Sequence, residues 1–452
     1  MSKVTKLSGP DPGAFDETIK WNVLSCGNIE VNSNKYYVIE IQRNRNTGEH
    51  RVYTQYGRIG SSAVYEMRGP YSEYDATKDF ESILKAKQRG KTGGTSKYAI
   101  VDVITPTVGS YNIRGKAQTI KVDSSKDMVA QSSHKFTPDV MRLLNQFADE
   151  NIHNITSTTS MSFTSQGLET ALGPVTESHV QKAREELQAI QTIVKSNGGK
   201  VSSPYHDFVQ ANNRYLSLIP HTFGRKITES DWIADDSKLI EEFDLLDQLE
   251  AAVKLGLKSN APQQFKGLDT DIFTVADPKP FIEMVNKTKA HTHLNRWQVK
   301  NAYEITISKE RARFDVNSSK YGNYKDFFHG STNCNFLSIL LGGLIIPGHG
   351  DGIAIAGRMF GNGIYGATSS TKSLNYSVGS WTGRRNKYSN AFLLRVKFAM
   401  GKIYEPTRSG SPPSGYNSVA AYAKKTGLQN DEFIVYNLEQ CTITHLLELE
   451  QR

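Results

Sequence analysis

Four short stretches in the C-terminal half collect side chains able to do chemistry. They are Phe327-Phe328-His329-Gly330-Ser331, Met359-Phe360-Gly361-Asn362-Gly363-Ile364-Tyr365, Thr371-Lys372-Ser373-Leu374-Asn375-Tyr376 and Asn430-Asp431-Glu432-Phe433-Ile434-Val435-Tyr436. Taken singly, each has a bland reading. His-Gly-Ser is an ordinary turn, Tyr365 and Tyr376 are core aromatics, Ser373 caps a helix and Glu432 is a solvated edge charge. Several sharper readings fail on spacing. Residues Gly361 to Gly366 satisfy Gly-x-Gly-x-x-Gly literally, yet no strand–helix–strand unit surrounds them. Nor does an acidic residue lie near the position about 20 residues on that would bind a ribose. These glycines instead let the backbone bend around a ligand. Gly90-Lys91-Thr92 invites a phosphate loop, but the glycine required five positions before Gly90 is Lys85. His291-Thr292-His293 has no further ligands nearby, so no metal site is expected.

In this order and spacing the four stretches resemble the catalytic domain of the poly(ADP-ribose) polymerases, a family that splits NAD and moves ADP-ribose onto proteins. NAD would be the substrate, with no metal. Its nicotinamide leaves as a neutral group while positive charge grows on the ribose, as in a glycoside transition state. The reaction needs a clamp for the nicotinamide, an anion near the ribose and an aligned acceptor. The resemblance implies that Gly330 offers its backbone N–H and C=O to the carboxamide and that Ser373 adds a hydroxyl. It places Tyr376 against the pyridine ring, with Tyr365 flanking the same pocket. His329 would bind the adenosine ribose and Ser331 would support that half of NAD. Glu432 would bind the nicotinamide ribose, stabilise the incipient cation and polarise the acceptor. His329, Tyr365 and Glu432 are therefore the expected catalytic set. Family members lacking an acid at the Glu432 position usually transfer a single unit, so Glu432 permits polymer formation. Ile345 stands where relatives often place an Arg for the adenine side, in a Gly-rich segment running from Gly342 to Arg358. The acceptor-side loop, Tyr404 to Gln429, is shorter than in the largest relatives but keeps the core Pro413-Ser414-Gly415-Tyr416-Asn417-Ser418-Val419.

The elements that must position these residues are strands and short helices. A strand is expected to end at His329-Gly330-Ser331, with a helix beginning over Asn335 to Leu341. Residues 302–307, 391–398 and 433–436 alternate or run apolar as sheet strands do. Two packed antiparallel sheets with a few helices follow, the architecture the family shares with ADP-ribosylating toxins.

Upstream, helical signals dominate. Thr137-Pro138 supplies an N-cap hydroxyl and a proline at the first helical position. Val140, Leu143, Leu144 and Phe147 form the buried stripe. Thr176 caps a helix whose Val180, Ala183, Leu187, Ile190 and Val194 recur at steps of three and four. A helix is expected to start at Ser203, and Leu239, Phe243, Leu246, Leu249 and Val253 mark another. The stretch Asn212-Asn213-Arg214-Tyr215-Leu216-Ser217-Leu218-Ile219-Pro220-His221-Thr222-Phe223-Gly224 is similar to the family's regulatory helical domain, which implies autoinhibition.

Near the N-terminus, strand-like runs at Tyr36–Ile41, Arg51–Tyr56 and Ala63–Met67 precede a helix from about Asp75. Tyr56-Gly57-Arg58-Ile59-Gly60 resembles the signature of the WGR domain, with Tyr for the usual Trp. Phe80 and Lys91-Thr92-Gly93 fit the same pattern. The resemblance implies that Tyr56 packs on the terminal sugar of a broken duplex and that Arg58 reaches its phosphate region, as suits an aromatic face and a guanidinium.

The expected fold is therefore α+β multidomain: a tail over 1–19, a β-rich WGR-like DNA-binding domain over 20–95, and a linker over 96–134. A regulatory helical domain over 135–265 and a catalytic ADP-ribosyltransferase domain over 266–452 follow. The net charge is +8, split as about +5 over 1–130, about −5 over 131–260 and about +8 over the remainder. The ends suit a polyanion and the middle does not. Cys26, Cys334 and Cys441 are odd in number and far apart, which points to a reducing compartment. The longest apolar runs, such as Phe336 to Ile346, are too short to span a bilayer, and Met1 to Pro10 lacks a signal core. No membrane is expected; a nuclear, intracellular address follows from the resemblance. The expected activity is poly-ADP-ribosylation stimulated by DNA strand breaks, with protein acceptors including the chain itself. A non-catalytic DNA-end scaffold and a mono-ADP-ribosyltransferase remain the alternatives.

Overall fold

The computed structural model describes residues 4–7, 15–28, 33–58, 63–89, 98–101, 136–165, 167–170, 173–222, 231–259, 263–289, 296–346, 359–379 and 388–451. Most of the expected linker lies outside the described residues, as do Ile59-Gly60, Lys91-Thr92-Gly93, Phe223-Gly224, His291-Thr292-His293 and the glycines between 347 and 358.

The first unit contains β1 (Thr5–Leu7), β2 (Glu17–Asn28), β3 (Ser33–Arg43), β4 (His50–Arg58), β5 (Val64–Tyr71), α1 (Glu73–Gln88) and β6 (Ala99–Val101). The strands form one sheet in the order β1-β5-β4-β3-β2-β6. Ser72 Oγ accepts from Asp75 N–H and starts α1, whose Ala76, Phe80 and Ile83 are buried. They pack with Leu24, Tyr37, Ile39, Ile41 and Val52 of the sheet.

The second unit begins with α2 (Pro138–Thr158), capped by Thr137 with Pro138 in its first turn. A three-stranded sheet follows, β7 (Ser162–Thr164), β8 (Gly167–Thr170) and β9 (Gly173–Pro174), so this unit is helical but not purely so. Then come α3 (Glu177–Ser196), α4 (His206–Leu218) and α5 (Asp236–Lys254). The stripe Val180, Ala183, Leu187, Ile190 and Val194 of α3 is buried. The helix expected at Ser203 starts instead at His206. Pro204 disfavours the helical region for the residue before it, which delays the first turn.

The third unit runs β10 (Thr270–Thr274), α6 (Lys279–Lys287), β11 (Trp297–Ile307), α7 (Ser308–Asn317), β12 (Tyr324–Gly330), α8 (Phe336–Gly342), β13 (Ile364–Gly366) and α9 (Ser370–Ser377). It continues with β14 (Ala391–Ala399), β15 (Ile403–Tyr404), β16 (Ser418–Ala421), α10 (Ala423–Thr426), β17 (Glu432–Val435) and β18 (Cys441–Gln451). One sheet has the order β10-β11-β18-β14-β12 and the other β13-β17-β16-β15. The first is antiparallel throughout, whereas β15 and β16 pair in parallel, which alternation along single strands does not reveal. Phe327 stacks on Phe433 at 4.4 Å and lies 5.2 Å from Phe398, joining the two sheets in one core.

Candidate active site

The two sheets of the third unit meet at Phe328. Its N–H donates to the Ala367 carbonyl at 2.9 Å, and the Ala367 N–H donates back at 3.0 Å. Immediately beyond Phe328, β12 ends in His329 and Gly330, paired across to Leu394 and Leu393 of β14.

Serine hydroxyls fasten α9 against this strand end. Ser370 Oγ donates to the Val285 carbonyl at 3.0 Å, Ser373 Oγ to the Phe328 carbonyl at 3.0 Å and Ser377 Oγ to the Phe392 carbonyl at 2.5 Å. The backbone contact is closer still. A Cβ at position 330 would lie 1.8 Å from the Ser373 carbonyl oxygen, so only glycine lets α9 sit here. The glycine therefore admits the close approach of a helix.

Glu432 opens β17, opposite Ala421 of β16. It is 9% exposed, and its Oε1 lies 2.6 Å from Lys372 Nζ. Lys372 Nζ also lies 5.4 Å from the centroid of the Tyr376 ring, one helical turn on, and Tyr376 is 38% exposed. Burial opposes the Lys372 charge, but Glu432 and Tyr376 outweigh it and hold the pKa above the ordinary lysine range. Lys372 is thus charged at neutral pH. Gly330, Ser373, Tyr376 and Glu432 come together through one helix turn. Lys372 went unassigned in the sequence reading. Its i, i+4 relation to Tyr376 was visible, but its pairing with a carboxylate on β17 was not.

His329 Nδ1 lies 2.8 Å from the Tyr365 carbonyl. A carbonyl only accepts, so Nδ1 carries the proton and Nε2 of the neutral ring is an acceptor. Tyr365 contributes its backbone to this contact, while its side chain is used elsewhere. Its hydroxyl donates to the Gly361 carbonyl at 2.8 Å and accepts from the Phe360 N–H at 3.1 Å. Tyr436 O–H donates to the Phe360 carbonyl at 2.5 Å. Two phenols therefore hold the 360–361 turn. Burial, with Tyr365 adding to it, pushes the Tyr436 pKa far up.

Ser331 Oγ accepts from Asn335 Nδ2 at 3.1 Å. Asn335 is gripped by the second unit: Gln248 Nε2 donates to its Oδ1 at 2.7 Å, and its Nδ2 donates to Asp244 Oδ2 at 3.3 Å. Ser338 Oγ donates to the Asp247 carbonyl at 2.9 Å. One face of α5 thus rests on the segment that follows β12.

In the first unit, Tyr56 and Arg58 end β4. The Tyr56 ring stacks on Tyr37 at 5.2 Å, and its hydroxyl donates to Glu66 Oε1 at 2.9 Å. Lys87 Nζ stands 4.0 Å from the Tyr37 ring centroid and 5.7 Å from that of Tyr56. Burial and the Glu66 hydrogen bond push the Tyr56 pKa up to about 12. The side chain of Arg58 lies outside the described residues. Among the described residues, no group of three or more His, Cys, Asp or Glu is arranged to hold a metal ion. No helix among them is long and apolar enough to cross a membrane.

Three family models match the chain. The WGR domain matches residues 22–92, the poly(ADP-ribose) polymerase regulatory domain 134–264 and the poly(ADP-ribose) polymerase catalytic domain 279–426. Glu432 lies just past the last of these, on a strand paired between β13 and β16. Poly [ADP-ribose] polymerase 1 of Arabidopsis thaliana is 25% identical over 91% of this chain and 41% of its own length. Poly [ADP-ribose] polymerase 1 of Gallus gallus is 25% identical over 94% of this chain and 44% of its own. Protein mono-ADP-ribosyltransferase PARP3 of Homo sapiens is 20% identical over 94% of this chain and 87% of its own. The chain thus spans a little under half the length of several curated relatives it matches, including the first two named here.

Proposed function

Because this chain belongs to the poly(ADP-ribose) polymerase family, with WGR, regulatory and catalytic domains in that order, we propose that it transfers ADP-ribose from NAD to proteins. We propose further that DNA strand breaks stimulate it and that it builds polymer. One observation carries the reading: a carboxylate, Glu432, is held by Lys372 beside the helix that packs Ser373 against Gly330. The site residues fit NAD. Gly330 and Ser373 bind the nicotinamide carboxamide, the exposed face of Tyr376 covers the pyridine ring, and His329 takes the adenosine ribose through Nε2. Tyr365 acts through its carbonyl, which orients His329, and through the turn that its hydroxyl holds.

In the reaction, the bond between nicotinamide nitrogen and ribose carbon breaks, and its electron pair leaves with nicotinamide. The Glu432 carboxylate faces the positive charge left on the sugar. The acceptor oxygen bonds to that carbon while its proton passes towards Glu432. Lys372 keeps Glu432 aimed through the contact between its Nζ and Oε1.

The matched relatives include polymerases and a mono-ADP-ribosyltransferase. The retained acid favours polymer. A DNA-responsive restraint is supported by α5, which hydrogen-bonds Asn335 next to Ser331. The first unit also reaches α4, where Leu218 packs on Val23, Tyr36 and Val38. A nuclear address and self-modification belong to the same reading.

Incubation with labelled NAD, with and without nicked DNA, tests it. A ladder of modified protein that grows with DNA supports the proposal. A single band means mono-transfer, and DNA binding without label means a scaffold. Glu432→Gln should abolish elongation while leaving NAD affinity within about threefold, since the lost charge acts mainly in the transition state. Unchanged polymer length in that variant refutes its assigned role.

A further inference from the structure

One face of α2 is polar yet packs against the third unit. Arg142, Gln146 and Glu150 recur at i, i+4 and i+8, so they line a single side of the helix. Gln146 and Glu150 are buried, Glu150 to 3% exposure. Burying such groups is costly unless each is satisfied. These are satisfied by the third unit.

Glu150 Oε1 accepts from Asn333 Nδ2 at 3.3 Å and from the Tyr388 N–H at 3.0 Å. Asn333 is fully buried and lies three residues beyond Gly330. Tyr388 belongs to the segment that leads into β14, the strand paired with β12. A single carboxylate oxygen therefore ties the exit of β12 to the entry of β14. Asn333 Nδ2 also donates to the Asn390 carbonyl at 3.2 Å, tying the two segments directly. Gln146 and Asn390 exchange side-chain amide hydrogen bonds at 2.5 and 3.0 Å. Arg142 donates twice to Glu448 of β18, at 2.8 and 3.3 Å, and Asn390 Nδ2 donates to the same carboxylate at 3.0 Å. Between these, Phe147 stacks on Phe336 at 4.9 Å and meets Phe392 edge-on at 4.8 Å.

We propose that this face of α2 positions the segment carrying His329 and Gly330, with Glu150 as the positioning residue, so that the helical unit builds the NAD site as well as restraining it. The inference rests on the reading of that segment as the NAD clamp. It separates the two helical contacts by role. The α5 contact touches Ser331 through Asn335 and can obstruct. The α2 contact lies behind the segment, at Asn333, and sets where the clamp stands. Clamping geometry tolerates little displacement, so loosening a supporting residue weakens binding without direct contact.

The test is steady-state NAD turnover by the full chain, with hydrogen exchange at residues 331–336 and thermal melts. Glu150→Ala is expected to raise KM for NAD about tenfold with a smaller change in kcat, and to speed exchange at 331–336. Glu150→Gln keeps the accepting oxygen and should restore KM to within about twofold of the parent. Should Glu150→Ala not fold, Gln146→Ala removes the Asn390 pair and is expected to raise KM in the same direction. A unit that only restrains gives the opposite sign: weakening α2 raises kcat/KM. That result, or an unchanged KM with faster exchange, overturns the inference while leaving the functional reading intact. A parent chain that binds no NAD overturns both.

Discussion

A methyl group at position 330 would press on the carbonyl of Ser373 and the hydroxyl of Ser377. No flexible side-chain end is available to yield, because both groups belong to a helix pinned by three serines. Gly330→Ala should therefore shift α9 away from β12, destabilising the chain by about 1–3 kcal/mol, as overpacking does. NAD affinity should fall with it, because Ser373, Tyr376 and Lys372 move together. A thermal melt and a calorimetric NAD titration check both, and a variant as stable as the parent would count against the packing described. At the same scale, Glu432 and Lys372 depend on each other. Half-removal of such a pair leaves an uncompensated buried charge.

Among elements, α4 and α5 are held by a buried polar cluster. His221 Nε2 lies 3.1 Å from Glu242 Oε1, and Tyr215 O–H donates to Glu242 Oε2 at 2.7 Å. His221 Nδ1 lies 2.9 Å from the Ile219 carbonyl, and its backbone bridges to Thr159 at the end of α2. Burial disfavours the imidazolium, but Glu242 outweighs it and raises the His221 pKa, with Lys238 opposing. A histidine whose pKa is raised by folding adds stability in full below its unfolded value, and this is lost as pH rises through the folded value. Protection of α4 and α5 amides should therefore decline as pH climbs from about 6.5 through the raised pKa. His221→Asn should flatten that decline. A pH-independent exchange profile in the parent chain would remove the clamp. Because α5 also carries Asp244 and Gln248 on another face, loosening here reaches Asn335 through the same helix.

Across the whole molecule, three units contact one another in chain order. The sheet of the first touches Leu218 of α4, and α2 and α5 lie on the third. The charge follows the same order, basic at the ends and acidic between, so a polyanion is repelled by the middle and attracted by the flanks. Arg58→Ala is expected to lower the ratio of DNA-stimulated to basal NAD turnover several-fold, as loss of a phosphate contact does. An equal ratio in the variant counts against the first unit as the sensor. Tyr56 qualifies the comparison. Its ring is already stacked on Tyr37 and its hydroxyl is engaged by Glu66, so it offers an edge or one face rather than a freely swinging plane.

The amino-acid order was enough for whatever depends on near neighbours. Thr137-Pro138 and Thr176 announced two helices, the stripe from Val180 to Val194 marked a buried face, and the apolar run over 391–398 marked a strand. The order of the four motifs was enough for the family. Only packing decided the rest, since it depends on groups distant in sequence and close in space. The Lys372–Glu432 pair, the Ser373 carbonyl that explains Gly330, and the Glu150 oxygen shared by Asn333 and Tyr388 leave no periodic trace. Nor do strands of two to four residues such as β7 to β9, which are too short to show alternation. Side-chain direction and local propensity are written into each stretch of chain, whereas a contact between two stretches exists only once the sheets and helices have been brought together.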